Sequence, residues 1–301
     1  MSGQLRELKT RIRSVENTKK ITRAMEMVAA AKLRRFQTLM INARPYTEGL
    51  ENQVRRLFEA QRMEAGRGGA DAQVSHPFFE RRDEKRIALV LMTSDTGLCG
   101  SHNSDLVNTA KRFLVSRQDE KPTVLIGIGK TGITTFKRAG YEFAETFTDL
   151  RASRIEEILS GFKKVLEDLY TESTVDAIYV VYSHFLTLAS SQSTVEKLLP
   201  LEAPDREEGA ARGSDDYIFE PDRKTIFSRL IPAYFEAKTR MLFIESLVSE
   251  QIARMNAMHQ ATNNAKEMIE SLVLLRNKAR QASITKEIIE IVSGSRALKV
   301  K

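Results

Sequence analysis

Apolar positions along this chain change period twice, and the changes divide it. From Gly3 to Pro45 there is no Gly or Pro, and Leu, Ala, Met, Lys, Arg and Glu dominate, which favours one long helix with Ser2 as a candidate N-cap. Apolar residues recur at Leu5, Leu8, Ile12 and Val15, then at Ile21, Met25 and Val28, a heptad-like seam with one short spacing near Thr18. Pro45 is expected to kink or stop this helix, although helical composition resumes from Thr47 to about Glu64. Gly66-Arg67-Gly68-Gly69 reads as a linker. At the other end no Gly or Pro occurs between Pro232 and Gly294. There Met241, Ile244, Val248, Gln251, Met255, Met258, Thr262, Ala265, Ile269 and Leu272 repeat at strict three-four spacing, the pattern of a coiled coil. The seam lapses at Arg276, Ser283 and Lys286, so the last turns are expected to leave the partner helix. A new stripe of Ile284, Ile288 and Ile291 would then face something else.

The middle of the chain has another rhythm. Ile87–Met92, Thr123–Ile128 and Asp176–Tyr182 are short, β-branched or apolar runs of the kind that become buried strands. Tyr141–Phe147 and Leu188–Thr194 are weaker strand candidates. Helical stretches fall at Ser104–Ser116, Thr131–Ala139 and Ser153–Tyr170. Strands alternating with helices predict an α/β unit with a mainly parallel sheet. Glu202–Asp216 has few apolar residues and is expected to be a mobile loop. The domain plan is therefore residues 1–65 as an N-terminal helix, 76–200 as the α/β unit, 201–216 as the loop and 217–301 as a C-terminal helix. Because one long helix enters the α/β unit and the other leaves it, any pairing between them is antiparallel. Sixty helical residues span roughly 90 Å, against a radius of gyration of roughly 14 Å for a domain near 130 residues; a rod projecting from a small foot is expected.

Charge sharpens this plan. The chain of 301 residues carries a net charge of +7, unevenly placed: residues 1–44 hold a net +8, residues 45–232 a net −5 and residues 233–301 a net +4. Basic ends fit a solvated face, an acidic protein partner or nucleic acid. Lys9, Arg11, Arg13, Lys19, Lys20, Arg23, Lys32, Arg34 and Arg35 surround the first seam instead of forming one stripe, and only Phe36 is interleaved, which disfavours nucleic acid. No apolar run approaches the roughly 20 residues of a membrane-spanning helix, and the first residues lack a signal-peptide pattern. One cysteine, Cys99, excludes an internal disulfide, and four scattered histidines leave no zinc set.

Two segments invite a catalytic or ligand-binding reading. Gly127-Ile128-Gly129-Lys130-Thr131 follows a strand and opens a helix, but Val124 stands where a Walker A loop needs glycine, and no third glycine completes a dinucleotide fingerprint. A tight strand-to-helix turn is expected instead. Thr93-Ser94-Asp95-Thr96-Gly97-Leu98-Cys99-Gly100-Ser101-His102-Asn103 lies at the carboxyl end of the first strand, where α/β folds place ligands. A Cys99–His102 nucleophile pair would need an orienting third group that the segment lacks. A glycine-rich turn, with Ser94 or Asp95 bonding backbone amides, is the favoured reading. His184 and His259 have no partners at metal-binding spacing.

Four separated segments, in order, resemble the gamma subunit of F-type ATP synthases: IRSVENTKKITRAMEMVAAAKLRRFQ, SDTGLCGSHN, ARMNAMHQATNNAKEMI and NKARQASITKEIIEIVSGSRAL. The resemblance covers nearly the whole chain. Ser295 stands where that family usually has Ala, and Thr96 where it often has Lys or Arg. The fold implied is an antiparallel coiled coil of long N- and C-terminal helices projecting from a small Rossmann-like α/β domain with a mainly parallel sheet. The function implied is that of a central rotor coupling proton flow to ATP synthesis, with no catalytic residue, metal or cofactor of its own. The resemblance also implies one copy per complex, with the alpha and beta subunits around the shaft and the epsilon subunit and c-ring at the foot. It implies neither a transmembrane segment nor nucleic acid, and a peripheral position on the cytoplasmic face of the bacterial inner membrane. Carried over by position, Met25, Arg254, Gln281, Thr285 and Glu287 resemble residues that meet the surrounding head, and Tyr217 and Glu220 resemble the region near the c-ring. Against this stand a basic coiled-coil nucleic-acid-binding protein, a small α/β enzyme using the SDTGLCGSHN loop, and a scaffold without a motor role.

Overall fold

A computed structural model of the chain describes residues 2–66, 76–117, 123–151, 153–187, 190–202, 220 and 222–299. Its contacts divide into two units. Residues 1–30 with 254–301 form one, and residues 31–253 form the other.

The larger unit is built on a five-stranded sheet of β1 (Ile87–Met92), β2 (Thr123–Ile128), β3 (Glu145–Phe147), β4 (Ala177–Thr187) and β5 (Ser190–Leu199). The strand order is β3-β2-β1-β4-β5. β1 pairs in parallel with β2 and with β4, β2 in parallel with β3, and only β5 runs antiparallel, against β4. Helices α2 (His102–Ser116), α3 (Lys130–Arg138) and α4 (Ile155–Thr171) make the crossovers. Every residue of β1 is buried, as expected of a central parallel strand covered on both faces. Side-chain alternation puts Ile87, Leu89 and Leu91 on one face, where Leu106, Val107 and Ala110 of α2 and Phe136 of α3 join them in a single core. Ala88, Val90 and Met92 take the opposite face. Ile158, Phe162, Leu166 and Tyr170 of α4 are buried as well, and the Tyr170 hydroxyl donates to the Glu80 carbonyl at 2.8 Å. Phe78 stacks edgewise on Tyr170 and tilts against Phe235, with ring centroids 6.2 and 4.9 Å away.

Two helices run through both units, α1 (Ser2–Gly66) and α5 (Arg223–Lys299). The expected stop at Pro45 does not occur; α1 is continuous through it. The carbonyl that loses its donor to the proline ring belongs to Ile41, itself 65% exposed, so water can satisfy it. Helix α5 begins at Arg223, well before Pro232, and that proline too is accommodated inside it. Asp222 starts the helix by accepting from the Thr225 amide at 2.8 Å and the Thr225 hydroxyl at 2.6 Å. Both weaker strand candidates form, the first shortened to β3 and the second as β5, which runs on past Thr194 to Leu199; Leu188 and Ala189 lie outside the described residues. The Glu202–Asp216 loop lies outside the described residues apart from Glu202.

In the smaller unit the first seam differs from its expected course. Leu8 and Ile12 are buried, but Ile21 and Val28 are 59% and 56% exposed, whereas Thr22 and Ala29 are 8% and 1% exposed. The four-three spacing in fact continues without a short step, through Val15, Lys19, Thr22, Glu26 and Ala29. Helix geometry kept one face inward even where that face became polar or small. On α5, Met258 and Ala265 are buried, and Arg276 and Ser283 stay half-buried despite breaking the apolar pattern. Beyond Ser283 every residue from Ile284 to Gly294 is exposed.

Candidate partner-binding surfaces

The carboxyl end of β1 is the position in the fold where an α/β protein would bind a ligand. Here the chain fills that position with its own atoms. The first three amides of α3 are each satisfied from the loop after β1: Lys130 N–H donates to Asp95 Oδ1 (3.1 Å), Thr131 N–H to the Ser94 carbonyl (3.1 Å) and Gly132 N–H to the Thr93 hydroxyl (2.9 Å). The other Asp95 oxygen accepts from the Leu150 amide at 2.6 Å. The carboxylate thus sits where a phosphate would meet a helix N-terminus. Gly129, at φ +86°, holds its backbone so close to Thr93 that a Cβ would fall 2.0 Å from the Thr93 carbonyl oxygen. The tight turn expected from the sequence is what forms, and it is closed.

The same loop locks Cys99. The thiol is 2% exposed and accepts from the Asn103 amide at 3.2 Å. Asn103 also binds Ser94, donating to its hydroxyl at 2.7 Å and accepting from its backbone N–H at 3.0 Å. These contacts make Cys99 part of a packed turn, as the favoured reading of the segment has it. Asp95 carries the amide bonding that this reading assigned to Ser94 or Asp95.

A second polar cluster was not legible in the sequence because its members come from four distant segments. Glu84 accepts from Arg117 (2.6 Å), Lys197 (2.6 Å) and the Tyr179 hydroxyl (3.0 Å). Burial pushes the Glu84 carboxyl up, yet these hydrogen bonds together outweigh it and hold it down at about 2. The cluster ties the segment before β1 to α2, β4 and β5. On another side Glu156 of α4 takes a two-pronged bond from Arg240 of α5 at 2.7 and 2.6 Å, beside a groove of about 420 Å³ floored by Ala43, Ile155, Ala237 and Ile244. His184 of β4 and His259 of α5, unpartnered by sequence spacing, find carboxylates on other elements: Glu245 of α5 at 2.9 Å and Glu26 of α1 at 3.1 Å. Among the described residues no three metal-ligating side chains converge, and no helix is long and apolar enough to cross a membrane.

The carried-over contact positions scatter. In the smaller unit Met25 is half-buried beside the seam, Arg254 is buried at 8% exposure, and Gln281, Thr285 and Glu287 are exposed on the end of α5. Glu287 accepts from the Ser283 hydroxyl one turn earlier at 3.2 Å. Around them the helix displays aliphatic side chains to solvent: Ile284, Ile288 and Ile291 are 48%, 55% and 71% exposed. In the larger unit Glu220 is exposed, and Tyr217 lies outside the described residues. Sequence reasoning missed the exposed Met27, Met268 and Leu274. Their signal was present as apolar residues off the seam register.

Comparison with known proteins gives one consistent result. The family profile described as ATP synthase matches residues 4–298. The chain is 37% identical to the ATP synthase gamma chain of Glaesserella parasuis, over 97% of this chain and 99% of that one. It is 40% identical to that of Cupriavidus metallidurans over the same shares, and 39% identical to that of an Anaeromyxobacter species over 98% and 99%. Among solved structures it is similar to a chain of the Euglena gracilis mitochondrial ATP synthase OSCP/F1/c-ring assembly in rotational state 3, with a TM-score of 0.62 and 19% identity over 99% of this chain and 95% of that chain. It also resembles a chain of the Tetrahymena thermophila mitochondrial ATP synthase central stalk and c-ring, with a TM-score of 0.59 and 22% identity over 80% and 99%. At those identities the structural likeness concerns the fold.

Proposed function

Because this chain belongs to the ATP synthase gamma chain family, we propose that it is the central-stalk rotor of such a synthase, coupling transmembrane proton flow to ATP synthesis at the beta subunits. In this reading the smaller unit turns inside a ring of alpha and beta subunits, and the α/β unit meets the epsilon subunit and the c-ring. One copy serves each complex, held peripherally at the cytoplasmic face of a bacterial inner membrane. The observation that carries the reading is the end of α5, where isoleucines stand exposed at every turn from Ile284 to Ile291. A helix so apolar on its outer surface is built to be surrounded by other protein. The closed turn after β1 supports the same view, since the fold's customary ligand position is occupied by Asp95.

The chemistry asked of such a subunit is differential contact. A shaft with unlike faces binds one conformation of a neighbouring catalytic subunit better than another, and each rotational position shifts that equilibrium in a different subunit. No catalytic group on the shaft is needed. Met25, Arg254, Gln281, Thr285 and Glu287 are the residues we assign to contact with the head, and Tyr217 and Glu220 to the c-ring side. Exposed basic residues such as Lys9, Arg11, Arg13 and Lys20 suit acidic lobes, because screened surface pairs can be exchanged at small cost during turning. The nucleic-acid alternative finds no support among the relatives.

The test is Mg-dependent ATP hydrolysis by purified alpha and beta subunits with and without this chain. The expected result is a chain inert alone that joins the head as a single copy and yields a stable, active complex. Turnover by the chain alone, or failure to join, would remove the rotor reading. Within the assembled enzyme, Met25→Lys is expected to lower proton pumping per ATP hydrolysed by adding a charge that grips an acidic lobe; normal coupling would remove Met25 from the contact set.

A further inference from the structure

In the smaller unit the seam of α1 lapses where the outer face of that helix carries its exposed apolar side chains. At four consecutive seam positions of α1, Lys19, Thr22, Glu26 and Ala29, there is no large aliphatic side chain to hold α5. In the same stretch Ile21, Met27 and Val28 point outward at 56–59% exposure. Beside the buried Ala29 and Met258, directional polar contacts cross this stretch. The Thr262 hydroxyl lies 2.8 Å from the Thr22 hydroxyl and 2.8 Å from the Met258 carbonyl, while Thr22 donates to the Lys19 carbonyl at 3.1 Å. One turn along, His259 Nδ1 lies 3.1 Å from Glu26 Oε1, and the Asn263 amide lies 3.1 Å from His259 Nε2. A single tautomer, with the proton on Nδ1, satisfies both ring nitrogens. Arg23 also donates to Glu26 Oε1 at 2.8 Å.

We propose that Thr22, Thr262, Glu26 and His259 are positioning residues, a polar key that keeps α1 paired with α5 where the apolar seam lapses and so holds Ile21, Met27 and Val28 outward toward the surrounding subunits. Polar contacts do here what added leucines could not do without specificity. Aliphatic layers repeat along both helices and are interchangeable, whereas a buried hydroxyl or carboxylate displaced from its partner is left unsatisfied. The role in coupling rests on the rotor reading; the pairing itself does not.

The experiment uses the full-length chain carrying Val28→Cys or Ala29→Cys, with buried Cys99 as the only other thiol. With the key intact, a maleimide should modify Val28→Cys about tenfold faster than Ala29→Cys, which faces the seam. Adding Thr22→Val and His259→Ala should raise Ala29→Cys modification about tenfold. Amide exchange across residues 19–29 in the thiol-unmodified chain should rise in parallel, which reads the same opening without an introduced cysteine. In the assembled enzyme, Thr22→Val with His259→Ala should lower proton pumping per ATP hydrolysed, and Thr22→Ser with His259→Gln, which keep a hydroxyl and a donor, should restore it. Unchanged modification and exchange would overturn the key whatever the rotor does. Pumping loss that the conservative pair fails to restore would also overturn it. A chain that never joins the head overturns the rotor reading and leaves the labelling result standing.

Discussion

Strand β1 and the end of α5 are built from similar side chains and have opposite fates. Ile87–Met92 is buried at every residue by the chain's own helices and neighbouring strands, while Ile284–Val292, with four isoleucines of its own, is exposed at every residue. The first is a core completed within one unit; the second is a surface that the described residues of the chain leave uncovered. Hydrophobicity thus reports that a segment needs cover, and only packing reports whether the chain supplies it.

The largest effect is expected at Gly129. Substituting Ala there places a Cβ against the Thr93 carbonyl in a left-handed backbone conformation, so Gly129→Ala should cost about 4 kcal/mol or more and collapse the sheet unit. Denaturant unfolding followed by circular dichroism would show it, and a wild-type midpoint would contradict the closed turn. Leu106→Ala removes a fully buried side chain from the core between α2 and the sheet, and about 3 kcal/mol should be lost.

A smaller effect is expected at Glu84. Its folded carboxyl lies at about 2, below the roughly 4.3 of an unfolded glutamate. The depressed value means that its stabilisation is fully present above about pH 4.5. It is lost progressively as pH falls toward 2. Glu84→Gln should cost about 1–2 kcal/mol near neutrality by weakening the bonds to Lys197 and Arg117. The variant should also flatten the acid limb of the stability profile. An acid limb identical to wild type would mean that the cluster does not hold the sheet's edge.

The smallest effect is expected at the end of α5. Ile288→Ala on the isolated chain should change stability by no more than about 0.5 kcal/mol, because the side chain is already 55% exposed. In an assembled head the same substitution should weaken retention of the chain, measured by dissociation on dilution. A loss of several kcal/mol from the isolated chain would mean that the tip is covered from within.

Much of this architecture was readable from residue order. The absence of Gly and Pro over long stretches marks the two helices, and β-branched runs separated by helical stretches mark the parallel sheet, because backbone propensity and hydrophobic period are local properties. Asp95 and Cys99 were legible as members of a glycine-rich turn from their spacing alone. Pro45 misled as a stop, since a proline ends a helix only when nothing else satisfies the freed carbonyl and packing does not favour continuation. The seam also misled between residues 19 and 29: choosing the most apolar residues pointed to Ile21 and Val28, whereas the structure buries Thr22 and Ala29. A continuous helix cannot turn a new face inward by one residue without twisting its axis, so the register set by Leu8 and Ile12 prevailed over local hydrophobicity.

Sequence therefore determined which segments are helices and strands, where the charge lies and which family the chain resembles. Tertiary structure alone decided which apolar residues are covered, that Asp95 caps α3 from 35 residues away, and that Glu84 gathers partners up to 113 residues distant. The physical reason is range. Propensity and period act within a few turns of chain, but burial and ion pairing depend on what the folded chain brings alongside.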